Sequence, residues 1–205
     1  MAGCGCAWCR SVAPRAEPFA DSGGAHPTAR RCASFDGPLM PRRVRPQRNL
    51  ALIERLTDAG VEFCIIGGIA AVLHGATRMT VDLDIAAPFS DENLMRLLSA
   101  LEDLDVRHAT RPDLRVADEP LDRLSTFRML LLETDMGRLD VLREVTPLGT
   151  YPALNTVDVD VGQRRCKVLA IDDLITVKRS LSRPQDAEVA VQLEAIRERL
   201  RPDYC

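Results

Sequence analysis

A chain of 205 residues has room for one domain, or one domain plus a tail. With 46% hydrophobic and 28% charged residues it has a globular make-up, and it contains no apolar run near the roughly 18 residues that a membrane span needs. A net charge of −3 excludes a strong overall basic footprint for nucleic acid, while leaving room for a local basic groove.

Residues 1–46 lack hydrophobic periodicity and are rich in Pro, Gly, Ala, Ser and Arg, so they read as a disordered leader. Met40 precedes the first periodic helix and is an alternative translation start. Residues 47–205 are expected to form the folded domain. Seven cysteines, an odd and scattered set, argue against a disulfide framework and fit a reducing cytoplasm. Cys4, Cys6 and Cys9, with Cys32 far off, offer four thiolates for a separate zinc reading.

Gln47 to Ala59 is expected to be an amphipathic helix with Leu50, Ile53 and Leu56 on its apolar stripe, stopped by Gly60. Val61 to Ile66 reads as a central strand. Gly67 and Gly68 then open a short helix, Ile69 to Leu73, ending at His74 and Gly75. Val81 to Ala86 is the next strand. Ser90 is the expected cap of a helix over Asp91 to Leu104, with Asp91 and Glu92 in its first turn. Val106 to His108 is a short strand, followed by a polar loop to about Ser125. Phe127 to Leu132 and Arg138 to Leu142 pair antiparallel about a turn at Glu133 to Gly137. Val157 to Val161 and Cys166 to Leu169 form a hairpin around Gly162 and Gln163. A helix from Ile171 to Leu181, capped by Asp172 or its neighbour, is broken at Pro184 before a last helix, Asp186 to Arg199. The order predicts an α/β fold: a mixed β-sheet flanked by helices, with two C-terminal helices.

The chemistry concentrates in GGIAAVLHGATRMTVDLDI, residues 67–85. Asp82 and Asp84 are spaced i, i+2 in an apolar strand, so both carboxylates leave the same face. Like charges held together in a dry setting repel, and a divalent cation removes the problem. Asp140, at the centre of RLDVL, completes the set if that strand lies beside VDLDI. Asp82 and Asp84 would then share two Mg²⁺ ions, with Asp140 on one of them and able to take a proton from an attacking hydroxyl. Oxygen ligands suit Mg²⁺, or Mn²⁺, better than zinc. The plainer alternative is that these aspartates only pair with arginines such as Arg78 or Arg138. Gly67 and Gly68, at a strand-to-helix turn, let backbone approach a phosphate. Lys178 offers a point charge for a phosphate, or is a solvated helix-face lysine. Arg183 and Asp186 offer an ion pair between the last two helices. His74 reads as a capping or packing residue, Arg78 as a group for a phosphate or for Asp82, and Cys64 as a small buried residue.

The pattern G-G-x-A-x-x-x-H-G-x-x-R-x-T-x-D-x-D-I, then hydrophobic-Asp-hydrophobic, then a helical Lys and R-x-x-D, resembles the DNA polymerase-β-type nucleotidyltransferase superfamily. Within it, the chain is similar to small bacterial nucleotidyltransferase-like proteins, including AbiEii/MenT-type toxins, over about Val61 to Leu200. The resemblance implies that Gly67 and Gly68 hold an NTP triphosphate and that Asp82, Asp84 and Asp140 bind two Mg²⁺ ions. It further implies that Lys178 faces the triphosphate, with Asp186 as an additional functional aspartate. The chain departs from the commonest pattern by carrying Gly68 where a serine hydroxyl would contact phosphate.

The expected activity is therefore metal-dependent transfer of an NMP from an NTP to a hydroxyl on an RNA end such as tRNA, a protein or a small molecule. By resemblance, a toxin or phage-defence role with an antitoxin partner is added. The alternative is a non-catalytic nucleotide-binding or interaction protein that keeps the fold.

Overall fold

The computed structural model describes residues 47–78 and 80–200. The expected leader, its alternative start and its cysteine cluster lie outside them. In chain order the elements are α1 (Asn49–Asp58), β1 (Cys64–Ile65), α2 (Gly67–Leu73), β2 (Leu83–Ala86), α3 (Asp91–Ala100), β3 (Arg107–His108) and β4 (Arg111–Arg115). They continue with α4 (Leu121–Leu124), β5 (Met129–Thr134), β6 (Gly137–Leu142), β7 (Glu144–Val145), β8 (Gly149–Thr150), β9 (Thr156–Val161), β10 (Arg164–Leu169), α5 (Ile171–Ser180) and α6 (Pro184–Arg199).

Eight strands form one sheet in the order β4-β3-β5-β6-β2-β1-β10-β9, and β7 and β8 make a separate ribbon. The sheet is mixed. β2 runs parallel to β6, β1 runs parallel to β10, and the remaining pairs are antiparallel. The α/β architecture with a mixed sheet is as expected from the element order. No helix among the described residues is long and apolar enough to cross a membrane.

Alternation sorts the central strands. Leu83 and Ile85 of β2, Leu139 and Val141 of β6, and Leu130 and Leu132 of β5 are buried in the core. Their in-between neighbours, Asp84, Asp140 and Leu131, fall on the other face, because side chains alternate along a strand. On the core face, Leu94 and Leu97 of α3 and Leu124 of α4 line a common cavity with Leu130 and Leu132 of β5. On the other face, α5 and α6 look onto β2 and β6 across a pocket.

Local chemistry explains the helix ends. Ser90 caps α3 as expected, its hydroxyl accepting from the Asn93 N–H at 3.4 Å, with Asp91 and Glu92 in the first turn. The buried Asn93 amide then accepts from Glu62 N–H and donates to the Glu62 and Pro88 carbonyls, tying α3 to the approach to β1. Gly60, at φ 68°, ends α1, and Val61 N–H returns to the Leu56 carbonyl.

Several expectations need correction. The stripe of α1 is Leu52, Ile53 and Leu56, and Leu50 is exposed. The expected polar loop after His108 contains the edge strand β4, a 3₁₀ turn at Val116–Asp118 and α4. β5 begins at Met129 and runs on to Thr134, so the turn into β6 is tighter than expected. Regular helix in α3 ends at Ala100. α5 starts after Ala170 with no side-chain cap, so Asp172 lies in the first turn, where the helix dipole favours a negative charge. Pro184 opens α6 at its first turn, where its missing N–H costs nothing.

Candidate active site

β1 delivers the chain to Gly67 and Gly68, which start α2 against β2. Gly67 has φ 65°, and a Cβ there would overlap the Asp84 carboxylate. A Cβ on Gly68 would sit 2.5 Å from Cβ of Thr80. The glycine pair therefore allows backbone to lie against Asp84 and Thr80. Gly68 also lines the pocket described below.

Asp82 lies one residue ahead of β2, and Asp84 lies within it, with buried Leu83 between them. The parallel pairing of β2 with β6 is in register at Asp84 and Asp140, with Leu83 opposite Leu139 and Ile85 opposite Val141. The two acids are thus side by side on adjacent strands, whose spacing is about 4.8 Å. Burial is the largest cause that pushes the Asp84 carboxyl up to about 6, and the charges of Asp140 and then Asp82 push the same way. Lys178 and the Gly68 N–H oppose them.

Arg138 occupies the same face, two residues before Asp140. Its Nε donates to Asp140 Oδ1 at 2.9 Å and a terminal nitrogen donates to Oδ2 at 3.2 Å. The same Nε lies 4.0 Å from Asp82 Oδ2. These hydrogen bonds, then the charges of Asp140, Asp82 and Asp84, hold the guanidinium's pKa above its ordinary value against the effect of desolvation. The arginine pairing weighed as the plainer alternative is therefore present alongside the convergence of acids. Among the described residues no group of three His, Cys, Asp or Glu side chains forms a ready-made cation cage. The donor set is nevertheless that of a hard cation: carboxylates whose mutual repulsion reaches Asp84, with a guanidinium clasping one of them.

The opposite wall comes from α5 and α6. Lys178 Nζ donates to Asp186 Oδ1 at 2.7 Å, and both side chains are largely buried. Asp186 Oδ2 is buried without a hydrogen-bond partner. Lys178 is thus no solvated helix-face lysine, and Asp186 pairs with it rather than with Arg183. Arg183 sits at the start of α6, its carbonyl accepting from Asp186 N–H at 2.9 Å. Arg78 does not neutralise Asp82. It is exposed and reaches Gln185 at 3.3 Å and Glu188 at 3.5 Å on α6. His74 has the packing role expected, its Nε2 lying 2.8 Å from the Leu169 carbonyl oxygen. Cys64 is buried, its thiol pushed up to about 12 mainly by that burial.

These walls enclose a pocket of about 530 Å³ lined by Gly68, Arg78, Asp82, Asp84, Asp140, Lys178 and Asp186, all expected from the sequence except that Gly67 meets Asp84 instead. Arg138, Arg183, Gln185 and Thr80 also line it. Arg138, one of the two arginines expected as a partner for the aspartates, is the one that meets them. The signal was its i, i−2 spacing from Asp140, the same spacing that marks Asp82 and Asp84.

Among solved structures the chain is similar to a lincosamide antibiotic adenylyltransferase, LnuA, in its lincomycin-bound form. The identity is 14%, over 74% of this chain and 99% of that one, with a TM-score of 0.51. The chain has a nucleotidyltransferase-type fold. Two further similar structures are ANT(2")-Ia in complex with adenylyl-2"-tobramycin (17% identity, 76% of this chain and 98% of that one, TM-score 0.43) and the antibiotic-resistance factor ANT(2'')-Ia in solution (16%, 76% and 92%, 0.45). No family model and no curated protein matches the chain.

Proposed function

We propose that the protein is a nucleotidyltransferase that moves an NMP from an NTP to a hydroxyl acceptor, in a cytoplasmic setting where NTPs are at hand. The observation that carries this reading is the in-register pairing of Asp84 with Asp140 at a pocket that also contains Asp82, Gly68 and Lys178. Asp82, Asp84 and Asp140 would hold Mg²⁺, or Mn²⁺. When bound, the metal supplies charge neutralisation for the attacking and leaving oxygens. Lys178 presents a point charge to the triphosphate, and Gly68 allows phosphate to approach backbone. Arg78 and Arg183 add positive charge at the rim. Asp140 accepts the proton of the attacking hydroxyl.

LnuA, similar in fold at a TM-score of 0.51, is a lincosamide antibiotic adenylyltransferase, which makes a small-molecule hydroxyl one acceptor class to test beside RNA ends and proteins. The AbiEii/MenT-type resemblance adds a toxin role. On that reading, induced expression arrests growth and the Asp140→Ala form does not.

The deciding experiment incubates the protein with each labelled NTP, Mg²⁺ or Mn²⁺, total tRNA and cell lysate, and follows label into RNA, protein and small molecules. Asp82→Ala and Asp140→Ala are expected to abolish transfer while the fold survives. Transfer retained in either variant defeats the assignment. The clasp of Arg138 on Asp140 favours one second reading, a nucleotide-binding protein without turnover. Calorimetry separates the two: Mg²⁺-independent NTP binding with no transfer supports the second.

A further inference from the structure

Four cations line the pocket, Arg78, Arg138, Lys178 and Arg183, and two of them are engaged elsewhere. Lys178 is held by Asp186 at 2.7 Å, and Arg78 reaches Glu188 and Gln185. Among the described residues, Arg138 alone makes an ion pair with Asp82 or Asp140. It holds Asp140 through both arms of its fork and lies 4.0 Å from Asp82, while Asp84 is Asp140's direct neighbour across the β2–β6 pairing. A buried structural pair would be closed off from solvent. Here Arg138 has 37% of its side chain exposed and lines the pocket, so it has a way out. It hangs from a strand residue whose neighbour Leu139 is fully buried, so the backbone stays put when the side chain leaves.

We propose that Arg138 is a stand-in cation: it occupies Asp140 and faces Asp82 until divalent metal arrives with nucleotide, and then transfers its guanidinium to the nucleotide's phosphates. This rests on the function proposed above. Arg138 takes one lone pair on each Asp140 oxygen and sets a positive charge against the site, so the free protein binds metal weakly. Phosphate oxygens match the planar fork as well as a carboxylate does, so nucleotide draws Arg138 away and opens the site. Metal and nucleotide thereby help each other bind, as linkage requires. Arg138 acts here as a positioning residue that sets the order in which the site fills.

The test is direct Mn²⁺ binding to the full chain, read from the loss of the free Mn²⁺ electron paramagnetic resonance signal. It is run with and without an α,β-methylene NTP analogue that blocks turnover. Without nucleotide, Arg138→Gln is expected to bind Mn²⁺ about tenfold or more tighter than the unmodified protein, as removal of one competing unit charge at contact range would give. Nucleotide is expected to raise Mn²⁺ affinity more in the unmodified protein than in Arg138→Gln. Arg138→Lys, which keeps the charge but loses the fork, falls between and decides the matter if the Gln form does not fold. Unchanged or weaker Mn²⁺ binding in the variants overturns the inference, because an arginine that only oriented Asp140 would give that result. Failure of every form to bind Mn²⁺ overturns it together with the metal-dependent function. Tighter Mn²⁺ binding by Arg138→Gln with no NMP transfer by any form upholds this inference and removes the enzymatic reading alone.

Discussion

Asp84→Asn is expected to stabilise the protein while removing its proposed activity. Burial, Asp140 and Asp82 raise the Asp84 carboxyl from 3.8 to about 6. That shift, at about 1.36 kcal/mol per pH unit, corresponds to roughly 3 kcal/mol of destabilisation when the group is charged. The sign follows from proton linkage. The folded form holds the proton more tightly than the unfolded form, so the stability is fully present below the unfolded value near 3.8. It is lost as pH rises through about 6, and the penalty is complete above that. Asparagine keeps the shape but carries no charge. The value of about 6 already includes the opposing effects of Lys178 and the Gly68 N–H, and with an allowance for the changed hydrogen bonding of the amide the net gain at pH 8 is expected at about 1–3 kcal/mol. For a chain of this size that is a rise in Tm of about 3–10 °C. The assay is chemical and thermal unfolding of both forms at pH 8 and pH 5 with a chelator present, since bound metal would stabilise the unmodified protein. The difference is expected to shrink by about half at pH 5. An Asn form that is less stable than the unmodified protein at pH 8, or a difference that ignores pH, refutes the picture of Asp84 as a strained acid held for function.

Gly67→Ala is expected to cost about 1–2 kcal/mol from the left-handed backbone alone, and to displace the Asp84 carboxylate that its methyl would overlap. Unfolding and Mn²⁺ binding measured together check both parts; a variant that keeps unmodified Mn²⁺ affinity contradicts the close approach. Lys178→Met leaves Asp186 buried and unpaired, at an expected cost of about 3–5 kcal/mol in urea unfolding. Adding Asp186→Leu is expected to recover most of that stability without recovering NTP binding by calorimetry, and a double variant as unstable as the single one counts against the pair.

What could be read in advance was whatever local alternation dictates. Apolar residues at every second position of VDLDI and RLDVL put the acids on the face away from the core, and the structure keeps that face at Asp84 and Asp140, whereas Val81, ahead of the strand, is exposed. The polar segment 111–124 gave no such reading, because β4 is an edge strand whose residues are mostly exposed and α4 is a single turn. The stripe of α1 was ambiguous, since Leu50 and Leu52 both fit helical spacing with Ile53 and Leu56. The choice falls to tertiary contact, where Leu50 lies over Gly162 of the β9–β10 turn.

Charge partners were the least legible part, for a physical reason. Periodicity assigns a side chain to a face, and a face holds several charges. Spacing along the chain suggested Arg183 for Asp186, yet the end of α5 brings Lys178 to it across the break before α6. Arg78 was the nearest arginine to Asp82 in the sequence, yet α6 claims it. The arginine that does meet the acids was carried to them by the rule that placed Asp140 there: residues 138 and 140 share a face, so any strand that delivers the third carboxylate also delivers a cation able to cover it. That coupling makes Arg138 a test of the whole site. If the three acids form a metal centre, the arginine built in beside them competes with the cation for the same negative charge.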